Sequence, residues 1–500
     1  MPVCGFSANC FATFDVRTNK LMPNKLTVRS APSTIDSSEH FHRDKVAAFQ
    51  SIRPRNFAQM TSIPESDLLP ITAELGDSGR LNIGGCDVRD LVAEFGSPLY
   101  IYDEATLRHM CRDFVGSFTN EYERSHIEYS SKAFANPAVS KIVEEEGLEM
   151  DVVTGGELAV AIAANFPSER LNFHGNNKGR EELTEAVKYG IGRITIDSFA
   201  EIDLLDEVAQ ELGVKQTVML RLSPSIDPHT HLLTTTGILD SKFGFSIETG
   251  DAEKAVEQAM SREGLDVEGL HFHLGSPIFE LEPYSEAIDY VLGFAAQMRD
   301  KYGLEFKRFS PGGGFAIGYV NDQLPLEMAD YAREIATSLR EGCDKYGLDE
   351  PELVVEPGRA IVGRSGVAVY TVGGIKTIPG VRTYVSVDGG MGDNIRPALY
   401  ESEYAVVPVD NPLADRDVTV TVAGKFCESG DVLARDVDLP DPQTGDLLAL
   451  PASGAYCLMM ASNYNMQTRP AVVMVNDGQA RLIRRRETYA DLLASSMGLD

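Results

Sequence analysis

Lys132 is the residue whose type and position most directly suggest chemistry. It follows the candidate strand Ile127-Tyr129 after two serines, so it stands where that strand ends. A lysine in such a place can form a Schiff base with a carbonyl compound once its surroundings lower its pKa. A lone lysine beside a loop is otherwise an ordinary surface residue. The chemistry therefore depends on what other strand ends contribute.

Two further strand ends carry groups that complement such a lysine. The candidate strand Phe306-Phe309 leads into three glycines at 312–314, which let backbone N–H groups approach and cradle a phosphate. The candidate strand Leu353-Val355 leads into Glu356-Pro357-Gly358-Arg359. A carboxylate there can pair with a protonated pyridine nitrogen, and an arginine suits a phosphate or a carboxylate.

Histidine and cysteine positions add weaker signals. His271 and His273 share one face of a candidate strand, but no Asp, Glu or Cys set with zinc spacing accompanies them, so no metal site is predicted. The His273 imidazole can instead stack on an aromatic cofactor. In the loop at 424–431, Cys427 stands beside a carboxylate and could donate a proton.

The elements that must position these residues follow a βα rhythm between residues 98 and 365. Short apolar runs alternate there with longer amphipathic stretches. Eight candidate strands in about 230 residues are what a (β/α)8 barrel requires, and barrel active sites lie at the carboxyl ends of the strands. A doubly wound sheet is the alternative. The candidate strands are Ile127-Tyr129, Glu149-Val153, Leu171-Phe173, Arg193-Ile196, Thr217-Leu222, Gly269-His273, Phe306-Phe309 and Leu353-Val355.

A second domain is predicted over residues 366–495. Runs rich in Val, Thr and Tyr, broken by Gly, Pro and Asp, favour an antiparallel β-sandwich or β-barrel. Strand-like runs at Leu68-Thr72 and Leu99-Tyr102 predict that residues 66–97 join this domain. Residues 1–65 form an N-terminal extension whose basic, Ser-rich composition is typical of a disordered arm, an over-long assigned start or a targeting segment.

Overall composition excludes several classes of function. The 500 residues carry a formal net charge of −30, which repels nucleic acid, and no basic cluster offsets it. No uncharged run approaches the roughly 18 residues that a membrane span needs. Seven scattered cysteines argue against a disulfide framework and favour a reducing compartment. Without a secretory segment, the cytoplasm is predicted.

Taken together, the motifs resemble those of the fold-type III decarboxylases that use pyridoxal 5'-phosphate (PLP). The resemblance runs from about residue 66 to 495, and it is strongest to members that convert meso-2,6-diaminopimelate to L-lysine and CO2, the last step of lysine biosynthesis. It implies an alanine-racemase-like barrel with a β domain, and a homodimer with shared active sites. The motifs are YSSKAFAN at 129–136, DVVTGGEL at 151–158, FHGNNK at 173–178, KFG at 242–244, HFHLGS at 271–276, GGG at 312–314, EPGR at 356–359, DGGMGDNIRPALY at 388–400, CESGD at 427–431 and GAY at 454–456.

The resemblance also implies roles for the matching residues. Lys132 corresponds to the Schiff-base lysine, His273 to the histidine stacked on the pyridine ring, and Cys427 to a proton donor supplied by the other subunit. The remaining cofactor positions are Ser276, Gly312, Gly313, Gly314, Glu356, Pro357, Gly358, Arg359 and Tyr456. The positions that bind an amino-acid substrate are Arg359, Arg396, Tyr400, Tyr456 and, at the distal amine, Glu428.

One position departs from the family pattern. Pro277 stands where relatives often carry glutamine, at the start of the segment that shapes the distal pocket. Arg396, Tyr400 and the CES sequence at 427–429 favour a substrate with two carboxylates. The alternatives are a related decarboxylase acting on carboxynorspermidine, ornithine or lysine, a racemase, and a catalytically silent PLP-binding homologue.

Overall fold

The computed structural model describes residues 63–227 and 234–496. The predicted extension over residues 1–65 thus lies outside the described residues except for its last three. Among these, Glu65 is buried and accepts a hydrogen bond from Arg416 at 2.9 Å, which ties the start of the described chain to the C-terminal part.

The first described elements are three short strands, one longer strand and two helices. They are β1 (Glu74–Leu75), β2 (Leu81–Ile83), β3 (Cys86–Asp87), α1 (Val88–Phe95), β4 (Leu99–Asp103) and α2 (Glu104–Glu121). Asp87 caps α1, and Asp103 caps α2 by accepting from the Thr106 N–H at 2.9 Å. The run at 68–72, predicted as strand-like, forms turns instead, because the chain bends at Pro70, whose carbonyl accepts from the Ala73 N–H.

An eight-stranded parallel barrel confirms the predicted barrel fold. Its strands are β5 (Ser125–Ser130), β6 (Glu149–Val152), β7 (Leu171–Phe173), β8 (Arg193–Ile196), β9 (Gln216–Ser223), β11 (Leu265–Phe272), β12 (Arg308–Gly312) and β13 (Glu352–Val355), with a short β10 (Phe245–Ser246) beside β9. Each strand pairs with the next, and β13 pairs with β5, which closes the barrel. Every predicted barrel strand is found, with ends shifted by a few residues.

Helices cover the outside of the barrel. They are α3 (Pro137–Glu145), α4 (Gly155–Ala163), α5 (Arg180–Tyr189), α6 (Phe199–Leu212), α7 (Asp251–Met260), α8 (Glu282–Tyr302), α9 (Met328–Tyr346) and the short α10 (Arg359–Val362). In α9, Tyr331, Ile335 and Leu339 follow at intervals of four and are all buried on one face. Burying each such side chain stabilises the fold by roughly 1.5–3 kcal/mol.

The second domain is a mixed sheet. Its further elements are β14 (Gly366–Ile378), β15 (Arg382–Val387), α11 (Arg396–Tyr400), β16 (Val407–Pro408), β17 (Val418–Ala423), β18 (Val432–Leu439), β19 (Leu447–Leu450), β20 (Ala471–Asn476), β21 (Gln479–Arg484) and α12 (Tyr489–Leu493). Most neighbours are antiparallel, as predicted, but β15 with β17 and β4 with β20 are parallel. The domain is therefore not purely antiparallel.

Strand β4 belongs to this second sheet, although the predicted barrel range began at residue 98. It lies between β14 and β20 and is buried along its whole length. The barrel is thus inserted into the β domain: β4 leads through α2 into β5, and β13 leads through α10 into β14. No helix in the two described ranges is long and apolar enough to cross a membrane.

Candidate active site

A cavity of about 510 Å³ opens where the barrel strands end. Its walls combine barrel loops with segments of the second domain. Among the lining residues are Lys132, His273, Ser276, Pro277, Tyr319, Arg359, Arg396, Tyr400 and Tyr456. A narrow recess of about 20 Å³ adjoins it, shares Lys132, His273, Ser276, Arg359 and Tyr456, and adds Gly313, Gly314, Glu356 and Gly358. Most residues selected from the sequence therefore converge on one place.

Lys132 lies on a short turn directly after β5, and its side chain is accessible in the cavity. The predicted lowering of its pKa is not found. The protein atoms around the cavity partly desolvate the ammonium and disfavour it, but Asp151, Tyr456 and Glu356 outweigh this desolvation, so the pKa of Lys132 lies above its usual value. The amine is therefore charged until a proton is removed from it.

Asp151, at the start of the DVVTGGEL motif, was not among the predicted site residues. It is buried and accepts a hydrogen bond from the Ser130 hydroxyl at 2.5 Å. Burial raises the pKa of Asp151 to about 7, although Lys132 lowers it. A carboxyl group that titrates near neutrality can exchange a proton with a neighbouring amine.

Glu356 follows β13 and points into the barrel. It accepts from the Ser310 hydroxyl at 2.6 Å, and its other oxygen lies 3.1 Å from His271 Nε2. Burial would raise the pKa of Glu356, but His271, His174 and Ser310 outweigh burial and hold this pKa well below its usual value. The result is a buried anion, which is the state that pairs with a protonated nitrogen base.

The glycines after β12 leave a strip without side chains beside Glu356. A Cβ on Gly313 would lie 2.1 Å from the Glu356 carbonyl oxygen, and Gly312 has a φ of +76°. The Gly313 N–H donates to His273 Nδ1 at 3.3 Å. Burial and Lys132 lower the pKa of His273 well below its usual value, so its ring is neutral. These groups together fit PLP: the neutral ring of His273, the glycines at 312–314, the anionic Glu356 and Lys132.

Two guanidinium groups meet at Tyr319 on the cavity wall. Arg359 donates to the Tyr319 hydroxyl at 2.5 Å and Arg396 donates to it at 2.8 Å. Arg396 also donates to the Tyr404 hydroxyl at 2.7 Å. Both arginines are buried, so the cluster presents two positive charges to the cavity. Tyr319 was not among the predicted site residues, because an isolated tyrosine in a loop has no periodic pattern. The one available signal was its position in the sequence shortly after the glycines at 312–314.

The other predicted residues frame this arrangement. Ser276 accepts from Arg359 at 3.2 Å, and the Tyr456 ring centroid lies 5.0 Å from Arg359 Cζ. Tyr456 has a φ of +67°, and its N–H donates to the Ala133 carbonyl at 2.8 Å, so the backbone beside Lys132 positions it. Tyr400 ends α11 at the cavity wall. The Pro357 carbonyl accepts from the Ser130 N–H, and Gly358 lines the recess.

Cys427 and Glu428 stand apart from these groups. Both are exposed, and neither is among the described residues of this chain that line the cavity. The Cys427 N–H donates to Asn465 at 2.9 Å, and Glu428 accepts from the Tyr464 hydroxyl at 2.5 Å. One chain therefore does not bring its own thiol to its own Lys132.

Comparisons with known proteins agree with this geometry. The pyridoxal-binding domain of the pyridoxal-dependent decarboxylases matches residues 107–363. The diaminopimelate decarboxylase of Bacillus subtilis is 45% identical over 422 residues, which is 84% of this chain and 96% of that protein. The Synechocystis enzyme of the same name is 43% identical over 86% of this chain and 93% of its own length.

Solved structures give the same answer. The crystal structure of diaminopimelate decarboxylase from M. jannaschii in complex with L-lysine matches with a TM-score of 0.80 and 35% identity. The match covers 86% of this chain and 98% of that one. From the barrel, the cavity and these relatives together, it follows that the chain belongs to the diaminopimelate decarboxylase family of PLP-dependent decarboxylases.

Proposed function

We propose that this protein decarboxylates meso-2,6-diaminopimelate to L-lysine, as the last step of lysine biosynthesis in the cytoplasm. The observation that carries the proposal is the shared cavity of Lys132, the anionic Glu356 and the paired guanidiniums of Arg359 and Arg396. Relatives that match most of the chain are named diaminopimelate decarboxylase. A related solved structure contains L-lysine, the expected product.

Lys132, Glu356 and the glycines at 312–314 are the groups that would hold the cofactor. When bound, PLP serves as an electron sink for the negative charge left at Cα as CO2 departs. Glu356 would keep a proton on the ring nitrogen of the cofactor, because its carboxylate stays ionised inside the barrel. His273, whose ring is neutral, would lie beside the cofactor without adding a competing charge.

The guanidinium pair selects the substrate. Arg359 and Arg396, with Tyr400 nearby, bind the carboxylate that remains after the reaction, and this orients the other end toward Lys132. A substrate with one carboxylate leaves two buried positive charges without a partner. This is why we favour diaminopimelate over ornithine or lysine.

We also propose that the active enzyme is a homodimer with shared sites. Cys427 and Glu428 are exposed on one chain and lie outside its own cavity. In a dimer, the partner's loop would supply the Cys427 thiol that protonates Cα and the Glu428 carboxylate that binds the distal amine.

The test combines the visible absorbance of lysine-bound PLP with CO2 release from meso-diaminopimelate, ornithine and carboxynorspermidine. We expect the absorbance band, and CO2 release with L-lysine formation only from diaminopimelate. Lys132→Ala should lose the band and reduce activity by roughly 1,000-fold or more, since the covalent attachment is gone. A band with activity on another substrate would contradict the substrate, and no band would contradict the cofactor.

A further inference from the structure

A row of buried polar groups crosses the barrel interior from Glu356 to β5. His174 Nε2 lies 3.9 Å from a Glu356 oxygen and 3.3 Å from a Glu128 oxygen. Asn172 lies 2.8 Å from the same ring nitrogen and donates to Glu128 at 3.1 Å. Glu128 and Glu356 therefore flank a single imidazole, and all three side chains are buried.

The two carboxyl groups are unequally supported. Glu356 faces the donors Ser310 and His271 at 2.6 and 3.1 Å. Glu128 has Asn172 and a 3.4 Å contact with Arg193, whose guanidinium also binds Glu149. The other titratable groups that face Glu128 are Asp151 on β6, His174 on β7 and Glu356 on β13. Burial lowers the pKa of His174, so its ring is neutral.

Two carboxylates that flank one imidazole in a medium of low dielectric do not both stay ionised. The better supported one keeps its charge and the other holds a proton. The pKa values follow this order: burial and then Glu356 raise the pKa of Glu128 to about 7, whereas the pKa of Glu356 lies well below its usual value. A protonated Glu128 can also donate a hydrogen bond to His174 Nε2.

We propose that Glu128 stores one proton beside Glu356 and releases it when a positively charged nitrogen base binds Glu356. The bound cation offsets the charge of Glu356, which together with burial keeps Glu128 protonated. The Glu128 O–H bond then breaks, its electron pair stays on the carboxylate, and the proton leaves to solvent. Glu128 acts through Glu356 and is a positioning residue. The proposal rests on the proposed cofactor but not on the proposed substrate.

The test counts protons while PLP binds to the apoenzyme. Calorimetric titrations in two buffers of unequal ionisation enthalpy give the number of protons exchanged per PLP bound. They are done at about pH 6.5, where a carboxyl with a raised pKa is still mostly protonated. The wild type should release more protons than Glu128→Gln, by a difference of up to about three quarters of a proton, because that fraction of a carboxyl with a pKa of about 7 is protonated at about pH 6.5. Exchanges at Lys132 and at the phosphate cancel in this difference. Glu128→Asp should restore release.

Asp393→Asn is the matched control, because Asp393 is also a buried carboxyl with a pKa raised to about 7, but it lies in the β domain. Its proton count should equal that of the wild type. Equal counts for the wild type and Glu128→Gln would overturn the proposal. If Glu128→Gln fails to fold, infrared difference spectra of the wild type and Glu128→Asp decide: a protonated-carboxyl band must disappear as PLP binds, and its frequency must differ between the two proteins. Failure of PLP to bind at all would refute the proposed cofactor instead.

Discussion

At the scale of single residues, the site is organised by carboxyl groups with different proton affinities. Glu356 stays ionised, whereas Asp151 titrates near neutrality beside a lysine whose pKa is raised. A charged amine cannot attack a carbonyl, so the proton on Lys132 must first move. Asp151 is the nearby carboxyl whose pKa of about 7 suits this exchange.

Tyr319 should control how tightly a carboxylate binds. Its hydroxyl accepts from Arg359 and Arg396 and holds the two guanidiniums together. We expect Tyr319→Phe to weaken competitive inhibition by L-lysine about 10-fold, since hydrogen bonds to charged groups contribute roughly 1.5–3 kcal/mol. Inhibition constants from initial rates with diaminopimelate measure this.

The control inhibitor is 1,5-diaminopentane, which lacks the carboxylate of L-lysine. Its inhibition constant should stay the same in Tyr319→Phe, and the absorbance of lysine-bound PLP should also be unchanged. Equal weakening of both inhibitors would mean that Tyr319 supports the cavity in general and not the carboxylate position.

At the scale of elements, the turn after β12 depends on glycine. We expect Gly313→Ala to weaken PLP binding at least about 10-fold, because the new Cβ would collide with the Glu356 backbone and displace it. Gly374→Ala in β14 is the control, since a Cβ there meets nothing within 4 Å. Equilibrium titration of the two apoenzymes with PLP checks this, and near-equal affinities would contradict it.

The barrel could be predicted because its strands are short buried runs between helices with a clear 3.6-residue period. β18 and β21 do not stand out as runs rich in Val, Thr and Tyr, because their exposed faces carry Arg, Asp and Gln, which hide the apolar alternation. The strand-like run Leu99-Tyr102 indicated that this part of the chain joins the β domain, but it did not indicate which strands β4 pairs with. Its partners β14 and β20 are distant in sequence, and a buried run of five residues does not identify them.

The candidate site likewise has residues that could be predicted from the sequence and residues that could not. Lys132, Glu356 and the glycines stand at strand ends, where the barrel brings them together, so the sequence was informative. Asp151, His174 and Tyr319 act through contacts between separate strands and loops, which spacing alone does not show. The raised pKa of Lys132 likewise depends on Asp151, which lies on the neighbouring strand β6.

At the scale of the whole molecule, the proposed shared active sites predict complementation between two inactive variants. Lys132→Ala lacks the proposed cofactor lysine and Cys427→Ala lacks the proposed proton donor. Random reassembly of a 1:1 mixture makes half of the dimers hybrids, and each hybrid has one intact site. Activity should therefore recover to about a quarter of the wild-type value. If the mixture stays as inactive as its components, each chain forms its site alone.

The stability that Asp393 contributes should fall as pH rises toward neutrality. Burial raises the pKa of Asp393 from 3.8 to about 7, although Tyr370 and Tyr100 donate to it. The folded state thus binds a proton more tightly than the unfolded state, and the stability contributed below about pH 4 is lost as pH rises to about 7. Urea unfolding at several pH values should show a flatter pH dependence for Asp393→Asn. Parallel curves for both proteins would contradict this.

The insertion of the barrel into the β domain sets an order of events during synthesis. Strand β4 leaves the ribosome before any barrel strand, yet its neighbour β20 emerges about 370 residues later. Until then, β4 has an unpaired edge while the barrel can already close. The nascent chain therefore completes its sheet last, and a stalled or truncated chain carries a finished barrel beside an open sheet edge that a second nascent chain could pair with.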